Sequence, residues 1–179
     1  MENVFINSGK RHSDFTWESL GDVAEGRGDL GLDVPVAIYR LMQYTLLATL
    51  AKDMGEERAN DYFRDAGRLA GREFAKNLLD LTVPWNDFIS QLQKRLRELK
   101  VCIFRLEELD PRTGKFTVTA AQDLDCSGIP VSNETVCCYD EGFISGILGA
   151  YMNKEYDVRE VDCWANGDRI CRFEGAPRK

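Results

Sequence analysis

The feature that most constrains this chain is the placement of cysteines in its last third. Four of the six cysteines lie between residues 136 and 175, and Glu160, Cys163 and Cys171 follow one another at intervals of three and eight residues. In this stretch a helical pattern is followed by a hairpin pattern. A thiol at the start of the helix can therefore meet two thiols of the hairpin. Three thiolates and one carboxylate complete a tetrahedral zinc shell, and a shell of four protein ligands is structural rather than catalytic.

The spacing along the hairpin gives this zinc hypothesis a test. Glu160 and Cys163 are an odd number of residues apart, so a regular strand would direct them to opposite faces of the sheet. A two-residue turn at Asn166-Gly167 would also place Cys163 and Cys171 on opposite faces. A shared metal therefore requires a bulge, or a loop of odd length centred near Gly167, and we predict such an irregularity.

The remainder of the chain predicts an α+β domain with the element order α-α-α-β-β-α-β-β. Apolar residues with three-four spacing indicate three helices between residues 33 and 100, and period-two alternation indicates strands near 100–109 and 115–124. The fourth helix and the second hairpin lie in the cysteine-rich stretch. We expect the helices to pack on one face of a twisted antiparallel sheet made of the two hairpins.

Two of these helices have flanks that are almost free of side chains. The small residues are Gly67, Ala70, Gly71 and Ala75 in the second helix, and Gly142, Gly146 and Gly149 in the fourth. Glycine costs about 1 kcal/mol in a helix interior, so several of them indicate that another group comes close. Tight helix packing is the favoured explanation, and space for a ligand is the alternative.

Length and composition indicate one domain, residues 33–179, preceded by an arm, residues 1–32, that covers the domain or a dimer partner. The net charge of −7 argues against nucleic acid as a partner. The sequence contains neither a signal-peptide pattern nor an apolar run long enough to cross a membrane, so we expect a cytoplasmic protein without membrane association. In a reducing compartment, metal binding or redox sensing explains six cysteines better than disulfides do.

From residue 134 to residue 175 the chain resembles the 4-vinyl reductase domain family. These are small-molecule-binding modules that share their fold with subunits of the TRAPP transport particle. The resemblance rests on a cysteine followed by E-G-F-x-x-G-x-x-x-A and then by E-x-x-C-x-x-x-G-x-x-x-C. Zinc-containing sensors of this family hold the metal with three cysteines and a glutamate. The resemblance thus implies structural Zn²⁺ at Cys137, Glu160, Cys163 and Cys171. Cys138 is an alternative to Cys137.

Cysteines outside this cluster receive simpler interpretations. Cys102 is predicted to be a small buried apolar side chain, and Cys126 is predicted to be a loop thiol.

The resemblance also places a ligand pocket between the helices and the sheet. The aromatic side chains that we predict to line it are Trp85, Phe88, Phe116, Phe143 and Tyr151. Phenol-sensing members bind the phenol hydroxyl with a histidine and a tryptophan. The only histidine of this chain is His12, so phenol specificity is not expected to carry over.

The function that these observations favour is a non-enzymatic, homodimeric module that binds or senses a small apolar, aromatic or hydrocarbon-like molecule. It would act on an unidentified protein partner. One alternative is a redox sensor that uses Cys137, Cys138 and an exposed Cys126. Another is an accessory protein of tetrapyrrole vinyl reduction, which ranks lowest because the chain lacks a nicotinamide fingerprint. Asp140 and Glu141 are interpreted as acidic residues that favour the helix dipole, not as a catalytic pair.

Overall fold

The structure, a computed structural model, describes residues 15–178, which divide into two units between Leu32 and Asp33. In the first unit a 3₁₀ turn at Trp17–Leu20 precedes the four-residue helix α1, Val23–Gly26. The Asp22 side chain caps α1 by accepting a hydrogen bond from the backbone N–H of Glu25 at 2.9 Å. His12 lies outside the described residues. The contact of this arm with a dimer partner stays a prediction.

The second unit is an α+β domain whose elements follow the predicted order. Pro35 and Pro84 stand immediately before the first residues of two helices, where a fixed φ and a missing N–H are tolerated. Gly55, at a φ of 89°, separates the first two long helices. The elements are α2 Val36–Met54, α3 Glu56–Leu78, α4 Trp85–Glu98, β1 Ile103–Leu109, β2 Phe116–Ala121, α5 Cys138–Met152, β3 Tyr156–Asp162 and β4 Cys171–Pro177.

The four strands form one antiparallel sheet in the order β1-β2-β4-β3. Each hairpin supplies a neighbouring pair, and the pairing of β2 with β4 joins the two hairpins, with Ala120 opposite Cys171. Helices α4 and α5 pack against this sheet, and α3 packs on α5. Large fully buried side chains from α4, α5 and the two central strands form the core between these layers: Phe88, Leu92, Ile147, Leu148, Val118 and Phe173.

The predicted irregularity of the second hairpin is confirmed. The register of β3 against β4 shifts between Glu160 and Asp162, which is a β-bulge. A 3₁₀ turn at Trp164–Asn166 follows β3, and Gly167 adopts a φ of 95°, so the two strands are not joined by a regular two-residue turn. As a result Glu160 and Cys163 are both buried despite their odd spacing.

The glycine flanks of the second and fourth predicted helices, now α3 and α5, are explained by tight helix packing. A Cβ atom at Gly67 or Gly71 would overlap the backbone of α5, and a Cβ atom at Gly142 or Gly146 would overlap the backbone of α3. The backbones of α3 and α5 are therefore in direct contact at these four glycines, which leaves no space for a ligand between the two helices.

Candidate functional site

Four cysteine sulfurs meet where the loop after β2, the start of α5 and the last hairpin converge. The Sγ atoms of Cys126, Cys137, Cys163 and Cys171 all lie within 4.8 Å of one another, and all four residues are buried. The Cys137 Sγ atom is 3.9 Å from that of Cys163 and 4.0 Å from that of Cys171. With Zn–S bonds of about 2.3 Å, the edges of a ZnS₄ tetrahedron measure about 3.8 Å. The two Cys137 distances fit such a shell, whereas the Sγ atoms of Cys126 and Cys171, 3.1 Å apart, would have to separate slightly to complete it.

Each of the four cysteines lies at the end of an element or in a loop, where the backbone is free to direct its side chain. Cys137 is the residue immediately before α5, Cys163 follows the bulged strand β3, and Cys171 is the first residue of β4. The bulge in β3 turns Cys163 towards the same interior that Cys171 faces. We name these three sulfurs together with Cys126 Sγ the sulfur cluster.

Cys126 is the member of the sulfur cluster that sequence reasoning missed. It was predicted to be an exposed loop thiol outside the cysteine cluster. It does lie in the loop after β2, but it is fully buried and its Sγ atom is 3.1 Å from that of Cys171, so its predicted exposure and its predicted place outside the cluster were wrong. The Asp123 side chain accepts hydrogen bonds from the backbone N–H groups of Asp125 and Cys126 at 2.8 and 3.3 Å. This turn directs Cys126 inward. An aspartate two or three residues before a loop cysteine was the available signal.

Glu160, the carboxylate implied by the family resemblance, lies beside the sulfur cluster. Its Oε2 atom accepts the backbone N–H of Cys137 at 3.0 Å. Its Oε1 atom is buried without a hydrogen-bond partner in the described part of the chain. Burial raises the pKa of the Glu160 carboxyl to about 8, and the neighbouring Cys163 adds to this effect. The group of mutually close donor atoms thus contains Cys126 where the resemblance implies Glu160.

Of the adjacent cysteines, the structure places Cys137 and not Cys138 in the sulfur cluster. The Sγ atom of Cys138 faces α3 and accepts a hydrogen bond from Nη2 of Arg64 at 3.5 Å. Burial raises the pKa of this thiol to about 11. Cys138 is therefore held as a protonated thiol outside the site.

Glu141, which follows Asp140 in the first turn of α5, is buried and is bonded to residues of neighbouring elements. It is therefore not an exposed acidic residue whose main role is to interact with the helix dipole. Its Oε2 atom pairs with Nε of Arg64 at 2.5 Å and with Nη1 of Arg159 at 3.4 Å. Its Oε1 atom accepts the backbone N–H of Glu160 at 2.9 Å. One carboxylate thereby joins α3, α5 and β3 next to the sulfur cluster.

A small apolar cavity lies between α4, α5 and the sheet, close to the sulfur cluster. Its volume is about 20 Å³, which is enough for about one water molecule. Cys102 lines it as a buried side chain, as predicted. Two acidic residues, Asp123 and Asp140, also line it. Burial raises the pKa of Asp123 to about 7 and the pKa of Asp140 well above its ordinary value.

Of the five aromatic residues predicted to line a ligand pocket, Phe143 alone lines this cavity. Trp85, Phe88 and Tyr151 pack on one another at the other end of α5, with the Phe88 and Tyr151 rings stacked at 4.0 Å. Phe116 packs on Tyr156 at 5.5 Å. Four of the five rings are thus core contacts.

Comparison with known proteins agrees with the resemblance. The family model of the V4R domain matches residues 116–177, the part that carries β2, the sulfur cluster and the last hairpin. The matched segment is about a third of the chain, so it shows similarity to the V4R domain over these residues. The chain is 28% identical over 148 residues to an uncharacterized protein of Methanocaldococcus jannaschii, and the alignment covers 82% of this chain and 80% of that protein. Among the described residues, no helix is long and apolar enough to cross a membrane.

Solved structures share the fold at low sequence identity. The phenol-responsive sensory domain of the transcription activator PoxR, crystallised with phenol, superposes with a TM-score of 0.64 at 19% identity, covering 82% of this chain and 76% of that one. A vinyl-4-reductase family protein from Methanocaldococcus jannaschii superposes with a TM-score of 0.59 at 13% identity, covering 84% of this chain and 85% of that one. A third structure is subunit 3 of a trafficking protein particle complex from Naegleria fowleri, covalently bound to palmitic acid. It superposes with a TM-score of 0.64 at 10% identity, covering 80% of this chain and 95% of that one.

Proposed function

We propose that this chain is a non-enzymatic module that binds a small apolar or aromatic molecule and holds a structural Zn²⁺ ion at Cys126, Cys137, Cys163 and Cys171. The sulfur cluster is the observation that carries the zinc assignment. Four thiolates leave no coordination position for a substrate or water, which supports a structural role. Bound there, zinc would cross-link the loop after β2, the start of α5 and the last hairpin.

The burial of the thiols favours a metal over a redox sensor. A reactive switch cysteine needs a partly exposed thiolate, whereas all six cysteines here are free and buried. The close approach of Cys126 to Cys171 is the one contact that favours the redox alternative. Their sulfurs, at 3.1 Å, are farther apart than the roughly 2.0 Å of a disulfide bond.

The ligand-binding part of the proposal rests on the cavity beside the sulfur cluster. The PoxR domain is a phenol-responsive sensor and the Naegleria subunit is covalently bound to palmitic acid. We extend small-molecule binding from them to this chain. A dry apolar cavity that binds benzene has a volume of about 150 Å³, while this cavity measures about 20 Å³. Binding therefore requires the cavity to open, and a change of shape on binding is what a sensor transmits to a partner.

Exposed apolar side chains on α2 support a homodimer. Five large ones are more than two-fifths exposed and are distributed around much of the helix: Val36, Ile38, Leu41, Met42 and Leu46. So much exposed apolar surface on one helix is typical of an interaction site. We expect Met42→Glu to convert a dimer into a monomer in light scattering and Lys52→Glu, on the same helix, to leave the dimer intact. A monomeric unsubstituted protein would contradict the dimer.

The zinc assignment is tested by native mass spectrometry and metal analysis of the protein as purified. We expect one zinc ion per chain in the unsubstituted protein and in the Cys138→Ser and Glu160→Gln variants. Cys126→Ser should lose zinc and stability, because it removes one of the four sulfurs. The Cys138→Ser variant is the matched control, since it removes a buried thiol next to Cys137 without touching the sulfur cluster.

Two results would change the assignment. Loss of zinc in Glu160→Gln with retention in Cys126→Ser would restore the three-cysteine, one-glutamate set. A metal-free protein whose mass rises by two hydrogens on reduction would identify a disulfide and favour the redox sensor.

A further inference from the structure

We infer that the cavity between α4, α5 and the sheet takes an apolar molecule that carries a protonated amine, with the ammonium group held between Asp140 and Asp123. This inference deepens the proposed ligand-binding function and rests on it. It concerns the chemical class of the ligand, which the family resemblance leaves open for a chain without the phenol-binding histidine.

The lining of the cavity combines apolar walls with two acidic side chains. Leucine, isoleucine, valine and phenylalanine side chains form most of the surface, and the ionisable carboxyl groups among its lining residues are those of Asp123 and Asp140. Neither lysine, arginine nor histidine lines it within the described residues. An apolar body with one cationic group complements such a surface, because buried charges are stable only when paired.

Asp140 supplies an unsatisfied acceptor at this site. The residue is 8% exposed, and its Oδ2 atom is fully buried without a hydrogen-bond partner among the described residues. A buried carboxylate oxygen without a donor is unfavourable by several kcal/mol. A ligand N–H group that reaches Oδ2 would remove this penalty.

The Asp123 side chain also lines the cavity, and two hydrogen bonds fix its orientation. Its Oδ1 atom accepts the backbone N–H groups of Asp125 and Cys126. One carboxylate oxygen each from Asp123 and Asp140 and the Sγ atom of Cys137 all lie within 4.8 Å of one another. An ammonium group has three N–H donors at tetrahedral angles. Two acceptors at about 2.8 Å from its nitrogen are roughly 4.6 Å apart, and this separation lies within the 4.8 Å limit for the two carboxyls.

The neighbouring arginines are engaged elsewhere. Arg64 pairs with Glu141 and Asp61. Arg40 donates to the backbone carbonyls of Leu124 and Ser127 at 2.7 and 2.9 Å. The two acidic side chains thus have no basic partner from these helices. A ligand hydroxyl would supply a donor but no positive charge, so an alcohol should bind more weakly than an amine of the same shape.

The test compares probes that differ only in their polar group. Benzylamine, benzyl alcohol and toluene form one series, and hexylamine, hexanol and hexane form a straight-chain series. Each is added to the full chain as purified, and its affinity is measured by calorimetry and by the shift in melting temperature. We expect the amine of at least one series to bind about tenfold or more tightly than its alcohol, which is the effect of one charge-assisted hydrogen bond.

The Asp140→Asn variant makes the test specific to the acid. Asparagine has nearly the same shape but no charge, so the preference for the amine should fall to about twofold or less while the alcohol binds as before. Zinc content and circular dichroism establish that the variant is folded. If Asp140→Asn does not fold, Asp123→Asn with the same probes decides, since it too should lose the preference for the amine.

Three results would overturn the inference. Equal affinity for amine, alcohol and hydrocarbon would overturn it while leaving small-molecule binding in place. Binding of no probe in either series would overturn it together with the ligand half of the proposed function, whereas the zinc half is judged by metal analysis alone. A second metal ion per chain that Asp140→Asn removes would overturn it too, because the cation between the acids would then be a metal.

Discussion

The two sides of α5 differ in how they are packed. Towards α3, the helix presents Gly142 and Gly146 and touches the opposite backbone directly. Towards α4 and the sheet, it presents large side chains, a cavity of about 20 Å³ and the unpartnered Asp140 oxygen. Backbone contact leaves no rotamers to rearrange, while side-chain packing around a cavity does. We therefore expect α3 and α5 to behave as one rigid pair, and the space for a ligand to open on the other side.

The sulfur cluster sets a limit on that opening. Cys137 stands at the start of α5, while Cys163 and Cys171 belong to the last hairpin. With zinc bound, the start of α5 would stay fixed to the sheet. Helix α4 contributes Leu92 and Leu96 to the cavity wall and contributes no ligand to the cluster. Movement of α4 is accordingly the expected route by which a ligand enlarges the cavity.

The largest effect is expected from breaking the buried ion pair on the α3 side. Arg64→Met should lower the free energy of unfolding by about 3 kcal/mol, because Glu141 would remain buried with, among the described residues, the longer contact to Arg159 as its only ion pair and the backbone N–H of Glu160 as its only other donor. Chemical denaturation measures this difference. Arg72→Met is the matched control, since Arg72 on α3 pairs with Glu155 in the turn between α5 and β3, and these side chains are 41% and 52% exposed. It should lower stability by less than about 1 kcal/mol.

If Arg64→Met and Arg72→Met lowered the free energy of unfolding by the same amount, the contact between α3 and α5 would not depend on its buried ion pair. The contrast between the two sides of α5 would then rest on the glycines alone.

An intermediate effect is expected from adding a single carbon to the glycine contact. In Gly71→Ala, the new Cβ atom would overlap the backbone carbonyl of Phe143 and approach the backbone nitrogen of Ile147. We expect a loss of about 1–3 kcal/mol in denaturation experiments, even though alanine favours a helix by about 1 kcal/mol. Gly26→Ala is the control, because a Cβ atom there meets nothing within 4 Å. A neutral Gly71→Ala would contradict a rigid α3–α5 pair.

Much of this architecture could be predicted from sequence, because its signals are local. Three-four and period-two spacing predicted the element order, and Pro35, Pro84 and Gly55 stand where helices begin or end. The bulge in β3 was predicted from the odd spacing of Glu160 and Cys163, because two residues three apart in a strand can both face the interior only if the register shifts. Closely spaced glycines predicted a backbone contact, although not which helix would make it.

The rest depended on long-range placement. Cys126 enters the sulfur cluster because Asp123 turns the loop and because β2 pairs with β4 next to Cys171. Sequence spacing does not show either fact. Trp85 and Phe88 are aromatic residues suited to a pocket wall, but both rings pack against Tyr151, with Phe88 stacked on it and Trp85 tilted against it. Which aromatic residues face a cavity is decided by the angle between elements, which periodicity does not specify.

The smallest effect is expected from adding one carbon on the cavity side of α5. Val101 lines the cavity, and its backbone is held by hydrogen bonds to Leu96 and Leu124. The added methyl group of Val101→Ile can enter the existing space, so stability should change by between 0 and about +1 kcal/mol, since one buried CH₂ contributes about 0.8 kcal/mol. The same variant should weaken binding of every apolar probe, amine or neutral, because it occupies volume that the ligand needs. Gly71→Ala and Val101→Ile thus each add one carbon, on opposite sides of α5, and denaturation should give them opposite signs. If Val101→Ile were instead as destabilising as Gly71→Ala, the sheet side would be packed as tightly as the α3 side, and α4 would have no freedom to admit a ligand.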